Sequence, residues 1–335
     1  MLTKNRLSLT EYVKGVLDGD RMILSRAITL VESSLPSDQL IAEKVMEGIL
    51  PYSGKSIRIG VTGVPGVGKS TFIESFGKIL VEKGHKVAVL AVDPSSQQSH
   101  GSILGDKTRM ENLASDKRAY IRPSPAGSTL GGVSARTREG MLLCEAAGFD
   151  VILIETVGVG QSEIAVKGMV DFFLLLMLAG AGDELQGIKK GIIEISDAMV
   201  INKADGSNQE AAKNARREYA NALHLFPAKE NGWIPPVKTC SSIYQTGLEE
   251  IWEMVVTYKQ KMLVNGYWED NRSRQRISWL HENIRYLFEQ RFFQNEKIKN
   301  RMDQILPEIR LGKLSVMAKA KELVDIFTGQ IKDIE

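Results

Sequence analysis

The chain is poor in the residues that build disulfide frameworks and zinc centres. Its 335 residues include two cysteines, Cys144 and Cys240, and four histidines, His85, His100, His224 and His281. The cysteines form no C-x-x-C pair and the histidines are scattered, which excludes a disulfide-stapled scaffold and argues against a Cys/His metal site. Both thiols read as buried and free in a reducing compartment. Charge of one sign is also missing, since 43 Lys and Arg stand against 41 Asp and Glu, a formal net charge of +2 with no basic block. Neither nucleic acid nor a membrane surface is therefore an expected partner. The longest apolar run, FFLLLMLAGA from Phe172, ends in glycines and falls short of the roughly 20 residues that a bilayer span requires. The opening MLTKNRLSLTEYV has no signal-peptide core, so the expected location is the cytoplasm. Internal repeats and low-complexity tracts are absent as well.

What the sequence does contain is a change of pattern near residue 50. Three helical patterns come first, one opened by a capping box in which Ser8 precedes Glu11 by three residues, the next capped by Asp20. After the linker PYSGKS, short apolar runs at 57–62, 87–92, 151–154, 172–178 and 198–201 alternate with amphipathic stretches. This alternation predicts an α/β fold, a mostly parallel sheet with helices on both faces. Helical pattern returns from Gly247. Ile277, Leu280, Ile284, Leu287 and Phe292 then form one apolar stripe that must pack against the sheet domain or a second copy of the chain. The expected division is an N-terminal helical extension over 1–50, a P-loop nucleotide domain over 51–265 and a C-terminal helical arm over 266–335.

GVPGVGKST, residues 63–71, follows the first apolar run, and Gly63, Gly68, Lys69 and Ser70 match G-x-x-x-x-G-K-[ST]. The pattern should arise by chance roughly once per hundred chains of this length, and its place between a strand and a helix makes chance a poorer explanation still. Backbone from Gly63 through Val64, Pro65, Gly66, Val67 and Gly68 would cradle phosphates at a helix N-terminus. Lys69 would reach the β and γ phosphates, the Ser70 hydroxyl would ligate Mg²⁺ and Thr71 would touch the α-phosphate.

NKAD, residues 202–205, follows the run at 198–201 and reads as a guanine motif. Asp205 would accept from guanine N1–H and the exocyclic amine, Asn202 would touch the base edge, and the Lys203 stem would cover its face. Adenine offers no such donor pair, and sites built on hydrogen bonds of this kind reject analogues lacking them by about 10⁴–10⁵. TCSS, residues 239–242, could add a backbone contact to guanine O6 through Ser241 and Ser242. Two acids at strand ends, Asp93 and Glu155, are candidates for the Mg²⁺ shell, which takes one or two carboxylates beside water and phosphate; either could instead cap a helix. Within ETVGVGQSE, which resembles D-x-x-G with Glu for Asp, Gly158 would offer its N–H to the γ-phosphate. Asp106 and Arg109 in GSILGDKTRM belong to a loop that is either a switch or plain solvated chain.

Together these segments resemble the methylmalonyl-CoA mutase-associated GTPases of the MeaB and ArgK type. The likeness runs through AVDPSS, GSILGDKTRM, RPSPAGSTLGGVSARTRE, ETVGVGQSE, AGDELQGIKKGIIEISDAMVINKAD and TGLEEIW, roughly residues 40–265. The resemblance implies that Asp93, Asp106, Arg109 and Glu155 are magnesium and switch residues, and that Lys189 and Lys190 fall in a third switch facing the partner. It implies GTP hydrolysis with GTP/GDP and Mg²⁺ as ligands, chaperoning of an adenosylcobalamin-dependent acyl-CoA mutase, and a homodimer built with the C-terminal arm. A nickel metallochaperone GTPase is the nearest alternative, disfavoured by the scattered histidines. A small-molecule kinase, the older amino-acid transport reading, is disfavoured by NKAD and by the lack of a phosphoacceptor motif.

Overall fold

A computed structural model describes residues 6–92, 110–123, 130–156, 162–180, 190–224 and 226–329. It divides into two compact units, Met1–Gln275 and Arg276–Glu335.

The first unit is organised on one sheet of seven strands: β1 Ile57–Gly63, β2 Val87–Val92, β3 Ala119–Arg122, β4 Val151–Thr156, β5 Phe172–Leu178, β6 Ala198–Asn202 and β7 Val237–Thr239. Their order is β3-β2-β4-β1-β5-β6-β7, and every neighbouring pair is parallel. Every residue of β1, β2, β4 and β6 is buried, which is why these strands read as unbroken apolar runs rather than as alternating ones. Five of the seven were legible on that basis. The four-residue edge strand β3 and the three-residue β7 were not. Three strands also run beyond their apolar cores, so Gly63, Glu155 and Asn202 are strand residues.

Around the sheet lie α1 Leu9–Leu17, α2 Arg21–Glu32, α3 Pro36–Ile49, α4 Lys69–Glu82, α5 Glu111–Ser115, α6 Leu130–Ala146, α7 Ser162–Lys167, α8 Lys190–Ile195, α9 Gln209–Leu223, α10 Leu248–Val264 and the start of α11 Tyr267–Gln294. The first three helices are the expected ones. Ser8 and Glu11 form the capping box of α1, and Asp20 Oδ1 accepts from Met22 N at 2.8 Å and Ile23 N at 3.1 Å at the start of α2. Helices α2 and α3 pack on each other and on α6. They belong to the same compact unit as the sheet.

Buried ion pairs clamp the N-terminal edge of the sheet. Arg58 Nε and Nη2 donate to the two Glu145 oxygens at 2.8 and 2.9 Å. Arg272 Nε and Nη2 grip Asp171 at 2.8 and 2.7 Å, and Asp171 Oδ2 also accepts from Arg58 N at 2.9 Å. With this edge fixed, the opposite, C-terminal edge is left to build a site. The chain passes from β1 to β2 on one side and from β4 to β5 on the other, so a topological switch point lies at β1, where open α/β sheets place their ligands.

The second unit holds the rest of α11, α12 Glu296–Arg310 and α13 Val316–Phe327. Its core is Ile298, Ile305 and Leu323, with Phe292, Met302, Leu314, Ile326 and Phe327 against it. The predicted stripe divides here. Phe292 joins this core, whereas Ile277, Leu280, Ile284 and Leu287 are each 52–58% exposed.

Candidate nucleotide site

The loop after β1 turns back on itself and delivers the chain into α4. Gly63 has no room for a side chain, because a Cβ there would lie 2.5 Å from the Leu176 carbonyl of β5. Gly68, the residue before α4, has φ 90°, a left-handed conformation that glycine adopts without steric cost. The first turn of α4 therefore starts at Lys69, with its backbone donors facing the loop, the arrangement that binds anions. Lys69 Nζ donates to the Gly63 carbonyl at 2.9 Å and the Val64 carbonyl at 3.4 Å. Burial lowers the pKa of this ammonium, while the charges of Glu155 and then Glu163 oppose that shift. Lys69, Ser70 and Gly68 are half-buried, and Thr71, Pro65 and Gly66 are exposed.

The guanine motif is wired directly into the phosphate loop. Asn202, at the end of β6 and 1% exposed, donates from Nδ2 to the Val67 carbonyl at 2.9 Å. Its Oδ1 accepts from Ser242 N at 3.3 Å, Ser242 Oγ at 2.8 Å and Cys240 Sγ at 3.4 Å. Both ends of the amide thus engage protein, and Asn202 ties three loops together. Lys203 adopts φ 57° and its Nζ donates to the Gly66 carbonyl at 2.8 Å. Its stem therefore bridges from the guanine motif to the phosphate loop. Asp205 Oδ2 accepts from Ser241 Oγ at 2.5 Å, and that hydroxyl also accepts from Tyr244 N at 3.3 Å. Ser241 and Ser242 are buried, so the carboxylate is oriented before any base arrives.

At the phosphate end, Ser70 Oγ donates to Glu155 Oε1 at 3.0 Å. Glu155 is buried at the end of β4, beside a Thr156–Thr62 hydroxyl bond of 2.8 Å that joins β4 to β1. A hydroxyl and a carboxylate this close form an all-oxygen donor pair, which suits Mg²⁺ with its preference for one or two carboxylates, phosphate oxygens and retained water. Among the described residues, no group of three or more His, Cys, Asp or Glu side chains could hold a metal by itself. Asp93, Asp106, Arg109, Gly158 and Lys189 lie outside the described residues. Lys190 opens α8.

The structure thus gathers Gly63, Lys69, Ser70, Glu155, Asn202, Lys203, Asp205, Ser241 and Ser242 at one edge of the sheet. Two features escaped the sequence. The hydroxyl of Ser241 orients Asp205. Glu163, at the start of α7, brings a second carboxylate to bear on Lys69, and its only sequence signal is its place at the end of ETVGVGQSE.

Comparison with known proteins agrees with this geometry. The family model for methylmalonyl Co-A mutase-associated GTPase MeaB matches residues 24–297. GTPase ArgK of Escherichia coli is 45% identical over 98% of this chain and 99% of its own length. The mitochondrial methylmalonic aciduria type A homolog of mouse is 43% identical over 94% of this chain and 79% of its own. A crystal structure of an LAO/AO transport system kinase superposes with a TM-score of 0.76 at 40% identity, covering 97% of this chain and 99% of that one. Helices and a parallel sheet around a phosphate loop, a guanine motif bonded to that loop, and relatives named as GTPases lead to one statement: the chain is a GTP hydrolase and belongs to the MeaB family of methylmalonyl-CoA mutase-associated GTPases.

Proposed function

We propose that this GTPase chaperones an adenosylcobalamin-dependent acyl-CoA mutase, with GTP binding and hydrolysis gating the loading of intact cofactor and the removal of damaged cofactor. The observation that carries the reading is membership of a mutase-associated family over residues 24–297. The identity to the mouse methylmalonic aciduria type A homolog supports it.

In this reading Lys69 would exchange the Gly63 and Val64 carbonyls for the β and γ phosphates of GTP, and the Ser70 hydroxyl, now on Glu155, would be a ligand for Mg²⁺. Glu155, with Asp93 and Asp106, would hold the rest of the metal shell. A bound Mg²⁺ would supply neutralisation of the charge that develops on the phosphates. Asp205, held by Ser241, selects guanine. Gly158 and Arg109 sense the γ-phosphate, and hydrolysis releases them. Lys189 and Lys190 carry that change to the mutase. The exposed Ile277, Leu280, Ile284 and Leu287 stripe is the surface on which a second copy would dimerise, and the site of action is the cytoplasm.

The test is a nucleotide-dependent complex with the acyl-CoA mutase of the same organism, followed by sedimentation velocity. A complex whose affinity differs between GDP and a non-hydrolysable GTP analogue is expected. Absence of a complex in both states would remove the mutase from the reading and leave the GTPase intact.

A further inference from the structure

Helix α4 buries Phe72, Phe76 and Ile79, and with them the side chain of Ser75. A hydroxyl in such a place is costly unless it is bonded. Serine and threonine within a helix can return the hydroxyl to the carbonyl four residues back, as Thr29 does to Ser25 at 2.9 Å and Thr257 to Glu253 at 2.8 Å. Ser75 takes another partner. Its Oγ donates at 2.6 Å to the carbonyl of Ser242, 167 residues away in the loop that follows β7.

The same loop is held elsewhere. Ser242 N and Oγ donate to Asn202 Oδ1 at 3.3 and 2.8 Å, which ties the loop to the end of β6. Ser241 N donates to the Thr246 carbonyl at 3.0 Å, so the loop also closes on itself. Gly247, at φ 77°, seals that closure, because a Cβ there would lie 2.5 Å from the Thr239 carbonyl. Within the closed loop, Ser241 Oγ donates to Asp205 Oδ2. Its neighbour Ser242 therefore has one anchor on β6 and one on α4, the helix that begins at the phosphate loop. The β6 anchor belongs to the guanine motif. Ser75 belongs to no motif.

We propose that Ser75 is a positioning residue for base selection: by holding the Ser242 carbonyl on α4, its hydroxyl keeps Ser241 where it orients Asp205. The inference rests on reading residues 202–205 as the base site. Ser75 acts through the loop and has no contact of its own with the base. Because the peptide unit is planar, fixing the Ser242 carbonyl fixes the direction of the whole 242–243 unit. Without that bond the loop keeps its β6 anchor but can turn about it, and the Ser241 hydroxyl turns with it. Asp205 then loses the direction on which its bond to the exocyclic amine of guanine depends. Hypoxanthine differs from guanine only in lacking that amine, so a comparison of GDP with IDP isolates this contact.

Ser75→Ala removes the hydroxyl and places the best helix former in the middle of α4. The measurement is the dissociation constant of GDP and of IDP in excess Mg²⁺, by titration calorimetry of the full-length protein. In the variant, the IDP-to-GDP ratio of dissociation constants is expected to fall at least about threefold, the scale of one hydrogen bond's net contribution. A residue that merely supports the fold would weaken both nucleotides alike and leave the ratio where it was. A smaller fall therefore overturns the proposal, whatever happens to stability. An unsubstituted protein that binds GDP no better than IDP would instead overturn the base site, and the proposal with it. If Ser75→Ala does not fold, the decision passes to Ser75→Cys, which offers only a weak donor in place of the hydroxyl, with the same ratio and the same threshold. Failure of both variants to fold would make Ser75 a residue of the core and overturn the proposal.

Discussion

Asn202 Nδ2 and the Val67 carbonyl are 2.9 Å apart across 135 residues of sequence, so the end of β6 and the phosphate loop are one piece of structure. The same side chain accepts from Ser242 N and Oγ. The loop proposed to read the base and the loop proposed to hold phosphate therefore share a buried tie. Neither loop can reposition without breaking it.

Asn202→Ala should accordingly loosen both ends of the site. The Val67 carbonyl and the Ser242 hydroxyl would each lose a buried partner, at about 1–3 kcal/mol per unsatisfied group. A fall in stability of that order is expected in chemical denaturation, together with weaker GDP binding. Unchanged GDP affinity would show that the loops hold their positions without the tie.

Asp205→Asn should change which base is bound. The carboxylate is oriented by Ser241 Oγ at 2.5 Å, and a carboxamide in that place could donate to a 2-oxo group where the carboxylate accepted from an amine. Competition between GDP and XDP is expected to move in favour of XDP. An unaltered preference for GDP would take Asp205 out of the base site.

The phosphate and guanine motifs were legible because each is local. Nine consecutive residues from Gly63 and four from Asn202 carry their own chemistry, and the apolar runs before them mark the strands that present them. Residues that act across the fold were not legible. Asp171 and Arg272 are 101 positions apart, and nothing near either one signals that they meet. Strand β3 was hidden for another reason: Ala119–Arg122 is a short edge strand flanked by Arg118, with only its first two residues buried. Glu163 resembles any helix-start acid until its burial is seen.

Asp171→Asn tests that hidden clamp. Asp171 and Arg272 are 2% and 4% exposed, and removing one partner of a buried pair typically costs about 3–5 kcal/mol. A large loss of stability is expected, with GDP affinity retained once the variant is folded, because the pair sits at the N-terminal edge of the sheet. Loss of GDP binding in a folded variant would mean that the two edges are coupled.

Glu139 of α6 gives the protein a pH dependence of known sign. Burial, opposed by Arg136 and reinforced by Glu43, pushes its carboxyl up from 4.5 to about 7. A carboxyl raised in the folded state favours folding fully below the unfolded pKa, and that contribution is lost as pH rises through the folded one. This share of stability should therefore decline between about pH 4.5 and pH 7. Glu139→Gln should flatten the stability profile over that range; an identical profile would show that Glu139 ionises as an ordinary surface acid.

The most direct test of coupling between this GTPase and an acyl-CoA mutase is single-turnover GTP hydrolysis with and without the mutase of the same organism, run beside Lys69→Ala. Slow turnover by the GTPase alone and acceleration by the mutase are expected, toward the roughly 10³–10⁵-fold that a cation delivered to the transferring phosphoryl group can provide, with Lys69→Ala inactive in both. A rate that the mutase leaves unchanged, at concentrations where the two proteins form a complex, would contradict it.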